Sequence, residues 1–178
     1  MSKEQLIAVA KSNLAHAEAG TIQLSLFDQR DLAEAALVQF DAALELAEQT
    51  SPDLVIANDP DADRCAVAIP GPGGWRMLRG DEVGALLGSH LLASGVERDS
   101  AHAVFANSIV SSRVLAAMCR AAGVRHEETL TGFKWIGRVE GLRYGYEEAL
   151  GYCVDPTHVR DKDGVSAKGY TLSLGTRF

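Results

Sequence analysis

No stretch of the 178 residues is an uninterrupted apolar run long enough to cross a bilayer. The first twenty carry charges throughout, where a signal peptide would have an apolar core. No membrane partner is expected. Cysteine is scarce: Cys65, Cys119 and Cys153 are odd in number, widely spaced and free of any Cys-x-x-Cys pair. That excludes a disulfide framework and a zinc site, and a reducing, cytoplasmic setting fits. Also missing is a basic stripe with interleaved aromatics. With 24 acidic against 17 basic residues and a net charge of -7, the composition argues against nucleic acid. A small anionic ligand therefore needs local help from Arg, Lys or a metal.

What is present is ordinary for a globular chain, 47% hydrophobic and 23% charged, with room for one domain or two small ones. Ser2-x-x-Gln5 is a capping-box pattern, and Leu6, Ile7, Ala10, Leu14 and Ala17 recur at helical spacing until Gly20. His16 on that helix reads as an exposed side chain. Thr21 to Phe27 predicts a short strand. Leu32, Ala36, Phe40, Ala43, Leu44 and Ala47 make one helical face, ended by Ser51-Pro52.

The run Leu54-Val55-Ile56-Ala57-Asn58 then empties into Asp59-Pro60-Asp61-Ala62-Asp63-Arg64. A continuous apolar run bounded by turn residues predicts a strand covered on both faces, stopped by Pro60. Asp59, Asp61 and Asp63 are expected to converge on one point, where hard carboxylate oxygens select Mg2+ or Ca2+. Arg64 adds a planar fork suited to phosphate. An EF-hand is excluded, because Arg64 stands where the loop needs Gly and Pro70 where it needs Glu.

Beyond the loop, Cys65 to Ile69 and Trp75 to Leu78 predict a hairpin about the intervening Pro and Gly residues. Arg79-Gly80-Asp81 opens a helix with Val83, Leu86, Leu87 and Leu91 inside, Asp81 serving as N-cap. Val104 to Asn107, the polar turn Ser108 to Ser112, a helix to Gly123 and a strand over Val124 to Thr129 form an α/β unit. In Thr131-Gly132-Phe133-Lys134-Trp135-Ile136-Gly137 two readings stand: a loop bringing Lys134 to a ligand, or a turn with Phe133 and Trp135 packed inward. Leu142 to Tyr146 predicts a strand delivering Glu147 and Glu148, whose side chains diverge. Asp161-Lys162-Asp163-Gly164 reads as a helix-entry turn.

Three of these motifs, in order and spacing, make residues from about Ser51 to Ala167 resemble the α-D-phosphohexomutase family. The resemblance implies an α/β fold of mixed and parallel sheet units with flanking helices, and phosphoryl transfer between the C1 and C6 oxygens of a hexose phosphate. By the same resemblance Asp59, Asp61 and Asp63 hold Mg2+, with a phosphoserine as the further ligand. Lys134 faces the sugar phosphate, Glu147 takes sugar hydroxyls, and Arg64 helps to position the substrate. Ala149, where many hexose-specific members have Ser, is similar to the phosphopentomutase and bisphosphate-synthase branch.

The family's Thr-x-Ser-His-Asn-Pro motif has no counterpart in these residues, so no catalytic residue is expected among them and the chain alone is expected to lack mutase activity. The expected division is residues 1–98, N-terminal helices plus part of the metal-loop domain, and 99–178, part of the sugar-binding domain with an unmatched tail from about 168. Two alternatives stand beside this: a Mg2+-dependent phosphatase of haloacid-dehalogenase type, and a non-catalytic fragment that oligomerises or pairs with complementary domains.

Overall fold

The computed structural model describes residues 21–24, 43–59, 61–94 and 102–175. The helix expected over Leu6 to Ala17, with His16, and the start of the next helix lie outside the described residues. The chain divides into two units, Met1–Leu78 and Arg79–Phe178.

In the first unit a helix described over residues 43–50 (α1) packs Ala43 and Ala47 against Val55 and Ala68, flanked by Leu44, Leu46 and Trp75. These small side chains allow the helix to sit close to the sheet. Four strands lie in sequence order: β1 (Thr21–Leu24), β2 (Leu54–Asn58), β3 (Cys65–Gly71) and β4 (Gly74–Met77). β2 runs parallel to β1 and antiparallel to β3, and Leu54, Val55 and Ile56 are buried, as the apolar run requires. The β3–β4 hairpin turns between Gly71 and Gly74.

The second unit holds a four-stranded sheet in the order β6-β5-β7-β8, numbering β5 (Val104–Ser108), β6 (Arg125–Thr129), β7 (Leu142–Glu147) and β8 (Gly151–Cys153). β5 is parallel to both neighbours, while β8 turns back antiparallel to β7. Helices α2 (Gly80–Ser94), α3 (Val114–Ala122) and α5 (Gly164–Gly175) pack with one another or with the sheet, and the single turn α4 (Phe133–Ile136) packs on β5 and β7. Phe133 and Ile136 join Val104, Ala106, Val139, Leu142 and Cys153 in the core.

Three expectations are corrected here. The boundary falls at Leu78/Arg79, about twenty residues before the expected 98/99, because α2 packs on β7 and belongs to the second unit. Leu86 on that helix is 44% exposed, whereas Val83, Leu87 and Leu91 are buried. The buried face is completed by Gly84 and Gly88 instead. Beyond residue 168 the chain continues as α5: Asp163 Oδ1 accepts from the Val165 amide at 3.1 Å, and Ala167 and Thr171, one turn apart, are both buried. The N-cap at Asp163 is the helix-entry turn expected there.

Gly84 is where α2 presses hardest on β7, since an added Cβ would lie 2.5 Å from Cδ2 of the fully buried Tyr146. In a free helix Gly84→Ala would gain about 1 kcal/mol of propensity. Here overpacking costs about 1–3 kcal/mol, so the variant is expected to unfold at lower urea, by a net loss of up to about 2 kcal/mol. A rise in the urea midpoint would show that Tyr146 can move.

Candidate functional site

The loops leaving β5, β6 and β7 lie at the carboxyl edge of the three parallel strands of the second unit, where open α/β sheets place their ligands. β5 delivers Ser108 and the turn to Ser112. Ile109 N donates to Thr129 O at 2.8 Å, tying that turn to the end of β6. Asn107, buried at the end of β5, donates its amide to the carbonyls of Ser108 and Ser112 at 3.2 and 3.3 Å. Its Oδ1 is left to accept from His126 Nε2 at 2.5 Å, which assigns the proton to that ring nitrogen.

β7 delivers both glutamates, and their side chains do diverge. Glu147 Oε1 accepts from the Gly132 amide at 2.6 Å, joining the end of β7 to the Thr131–Ile136 stretch. Gly132 has φ +105°, a conformation that a residue with a Cβ adopts only under strain. Lys134 is exposed on α4, beside the indole of Trp135 with Nζ 5.4 Å from the ring centroid. The reading with both aromatics packed inward holds for one of them: Phe133 is buried, whereas Trp135 is 38% exposed.

Glu148, for which sequence reasoning found no role, is held as firmly. Its Oε2 accepts from Ser108 Oγ at 2.9 Å and Ser111 Oγ at 2.8 Å, and its amide donates to Ser111 Oγ at 3.2 Å. Burial pushes the carboxyl up, but the bonds from Ser111, the backbone and Ser108 together outweigh it and leave the group below the ordinary glutamate value. Asp81 departs from its expected part as N-cap. Its Oδ1 accepts from the Ser112 amide at 2.6 Å and the Tyr146 hydroxyl at 2.9 Å, while Glu82 Oε2 reaches back to the Arg79 amide at 2.8 Å and serves the helix start. A signal existed in Ser108-x-x-Ser111-Ser112, but nothing in sequence pairs it with carboxylates 31 and 37 residues away. Cys119 and Cys153 are free and buried, and burial pushes their thiols up to about 11 and about 12, so neither is a thiolate at neutral pH.

The acidic loop belongs to the first unit. It is closed at its base by Asn58 Nδ2 donating to Arg64 O at 2.7 Å, by Arg64 N donating to Asp59 Oδ1 at 3.1 Å, and by Ala62 N donating to Asp59 O at 2.9 Å. Arg64 Nη1 stands 3.8 Å from Asp59 Oδ2. Burial raises the Asp59 carboxyl, the Arg64 amide pulls it down, and Asp63 alongside raises it again by hydrogen bond and like charge. Asp59 and Asp63 are thus neighbours. The expected convergence of all three aspartates is not found: among the described residues no three His, Cys, Asp or Glu are gathered so as to hold a metal ion. Asp59 turns its carboxylate to the amide and guanidinium of Arg64. The donor chemistry, hard carboxylate oxygen, still fits a divalent cation.

The carboxyl ends of the second unit's parallel strands thus gather hydroxyls, carboxylates and a cation on one edge of an α/β domain. Comparison with known proteins carries this further. The profile of the family described as phosphoglucomutase/phosphomannomutase, alpha/beta/alpha domain III, matches residues 79–174, and so takes in both α2 and the residues from 168 that were expected to be unmatched. A protein named "Probable phosphomannomutase" in Haemophilus influenzae is 49% identical over 135 residues, covering 75% of this chain and 27% of that protein. The human phosphopentomutase is 43% identical over 145 residues, covering 74% and 24%. The chain thus spans about a quarter of the length of these relatives. An Aspergillus fumigatus N-acetylphosphoglucosamine mutase solved with glucose 1,6-bisphosphate shares the fold at 14% identity, with a TM-score of 0.55 over 97% of this chain and 46% of that one. The chain belongs to the α-D-phosphohexomutase family. That assignment takes the place of the haloacid-dehalogenase-type alternative.

A glutamate whose folded pKa is depressed contributes stability above its unfolded pKa and loses it as pH falls through the folded value. For Glu148 the loss therefore sets in as pH falls through the ordinary glutamate range and continues below it. In Glu148→Gln the acid limb of a stability–pH curve is expected to flatten, with stability at pH 7 reduced. An acid limb of unchanged slope would mean that the two serines do not hold the carboxylate in solution.

Proposed function

We propose that this chain supplies the sugar-phosphate recognition and metal-loop parts of a phosphohexomutase, which moves a phosphoryl group between two oxygens of a sugar phosphate through a bisphosphorylated intermediate. The observation that carries the reading is the 2.6 Å bond from the Gly132 amide to Glu147, which joins two of the family-like motifs at one sheet edge. In this reading Glu147, with one oxygen held by Gly132, offers the other to sugar hydroxyls. Lys134 is the cation for a phosphate group, and its exposure allows it to reach one.

Asp59, Asp61 and Asp63 would hold Mg2+ in the first unit. Bound there, the ion would stabilise charge on the transferring phosphoryl group. Support comes from the Asp59–Asp63 pair, whose mutual repulsion a cation relieves. Arg64, its amide spent on Asp59, keeps its guanidinium partly exposed for a substrate oxygen. The 178 residues alone do not turn over substrate, because none of them lies in the Thr-x-Ser-His-Asn-Pro pattern that carries the phosphate in the family. Complementary domains or further copies complete the machinery.

Calorimetric titration of Mg2+ and of glucose 1,6-bisphosphate into the purified chain tests this. Both are expected to bind, with Mg2+ binding lost in Asp61→Asn and mutase turnover absent. Silence toward both ligands in the unaltered chain would overturn the reading, and turnover free of contaminating enzyme would overturn the claim of inactivity.

A further inference from the structure

Both neighbours of Glu147 along the chain are tied to one turn. Side chains alternate along a strand, so Tyr146 and Glu148 share one face and Glu147 takes the other. On the shared face Glu148 Oε2 accepts from Ser108 Oγ at 2.9 Å and Ser111 Oγ at 2.8 Å, and the Glu148 amide donates to Ser111 Oγ at 3.2 Å. Tyr146 reaches the same turn through Asp81, whose Oδ1 accepts from both the tyrosine hydroxyl and the Ser112 amide. The turn is itself braced, for Ser111 N donates to Ser108 O at 3.0 Å and the two serine hydroxyls lie 2.8 Å apart. Ser108 is fully buried, so this clasp has one end fixed in the core.

The backbone beyond Glu147 is constrained as well. Gly80, the first residue of α2, packs on the Glu148 peptide so closely that no Cβ would fit against Glu148 O. Leu150, two residues on, has φ +66°, a region that a residue with a side chain enters only against a steric cost. Such a conformation persists where its surroundings over-determine it. Here they are the clasp on Glu148 and the pairing of Glu147 with Gly151 across the β7–β8 hairpin. Glu147 accepts from the Gly132 amide through Oε1, and its Oε2 takes no bond among the described residues. An acceptor held at its backbone and its head group, with one oxygen open, is preorganised for a hydroxyl donor. A half-buried acid ringed by donors is a poor means of gaining stability alone, since an apolar side chain can serve as well. Its use here is geometric.

We propose that Glu148, clasped by Ser108 and Ser111, is the positioning residue for Glu147, so that recognition of the sugar's hydroxyls depends on the turn after β5. The inference rests on the proposed sugar-phosphate function and adds the residues that aim its hydroxyl acceptor. In this role Glu148 touches no ligand; it holds the peptide from which Glu147 departs.

The test is calorimetric binding of two ligands to the full chain: glucose 1,6-bisphosphate, and hexane-1,6-diol bisphosphate, which keeps both phosphates and lacks the ring hydroxyls. Glu148→Ala is expected to weaken the glucose compound about tenfold, the scale of one hydrogen bond to a charged group, and to leave the hexanediol compound unchanged. Glu148→Gln, whose carbonyl oxygen can still accept from the serines, should recover part of the loss. Added to Glu147→Ala, Glu148→Ala should weaken binding no further, because the two act on one contact. The Gly132 amide proton, held downfield by its short bond to a carboxylate, reads the same link without ligand. In the isotope-labelled chain it should move upfield in Glu148→Ala and in Ser108→Ala/Ser111→Ala, while the rest of the amide spectrum keeps its folded pattern. A merely structural role would weaken both ligands alike. If the unaltered chain binds glucose 1,6-bisphosphate and Glu148→Ala keeps the same preference between the two ligands, the positioning role is wrong and the proposed function stands. If the unaltered chain binds neither bisphosphate, both fall.

Discussion

The second unit depends on three buried tyrosines. Tyr144, Tyr146 and Tyr152 are fully enclosed and stack in series, with ring centroids 6.2 and 6.5 Å apart, and Phe105 meets the end of the row edge-on at 5.4 Å. Rings of this size deliver much of the apolar burial in a sheet, but each brings a hydroxyl that must be satisfied where it is buried. Helix α2 satisfies all three. Tyr144 donates to Gly84 O at 2.7 Å, Tyr146 to Asp81, and Tyr152 to Gly80 O at 3.3 Å. The helix comes close enough only because Gly84 leaves room for a ring. Burial first, and then Asp81, keeps the Tyr146 hydroxyl protonated, so it remains a donor. From that one bond the arrangement spreads, because the same Asp81 oxygen holds the Ser112 amide and with it the turn that carries Ser108 and Ser111 to Glu148.

Local patterns were legible wherever the chain needs only its neighbours. The apolar run into the acidic loop, the Pro-Gly hairpin, the strand–turn–helix from Val104 to Gly123 and the cap at Asp163 follow from burial, turn chemistry and φ preference, and they stand in the structure as expected. What escaped reading was long-range. Asp81 looks like a cap because its sequence neighbours open a helix, yet its partner is 31 residues away. Leu86 fits the helical period, but glycines take its place on the buried face, since β7 presents rings instead of methyls. The helix beyond residue 168 was hidden by Gly169 and Thr171, poor helix formers, whose cost tertiary packing overrides. The candidate site was legible in part. Lys134 and Glu147 were named for the motifs that hold them, whereas Glu148, adjacent and just as firmly held, had only the divergence of neighbouring side chains to mark it.

The two units treat half-buried carboxylates in opposite ways. Around Glu148 the sequence invests two serine hydroxyls and a backbone amide, enough donors to overcome the cost of partial burial, so its charge is stable as it stands. Around Asp59 one amide and a distant guanidinium face both burial and the charge of Asp63, and the carboxyl stays above its ordinary value. The first pattern is that of a framework: removing one member leaves the rest costly to bury. The second has fewer donors set against burial and a like charge, so its carboxyl is less well held.

A similar contrast separates the cations. Arg143 and Arg160 donate to backbone carbonyls, Val154 O at 2.8 Å and Val139 O at 2.9 Å, and thereby fix the segments around them. Lys134 and Arg138 are gathered on a ring that satisfies no hydrogen bond. An exposed indole sits against two cations without consuming their donors. It does so on a turn whose other face, Phe133 and Ile136, belongs to the core.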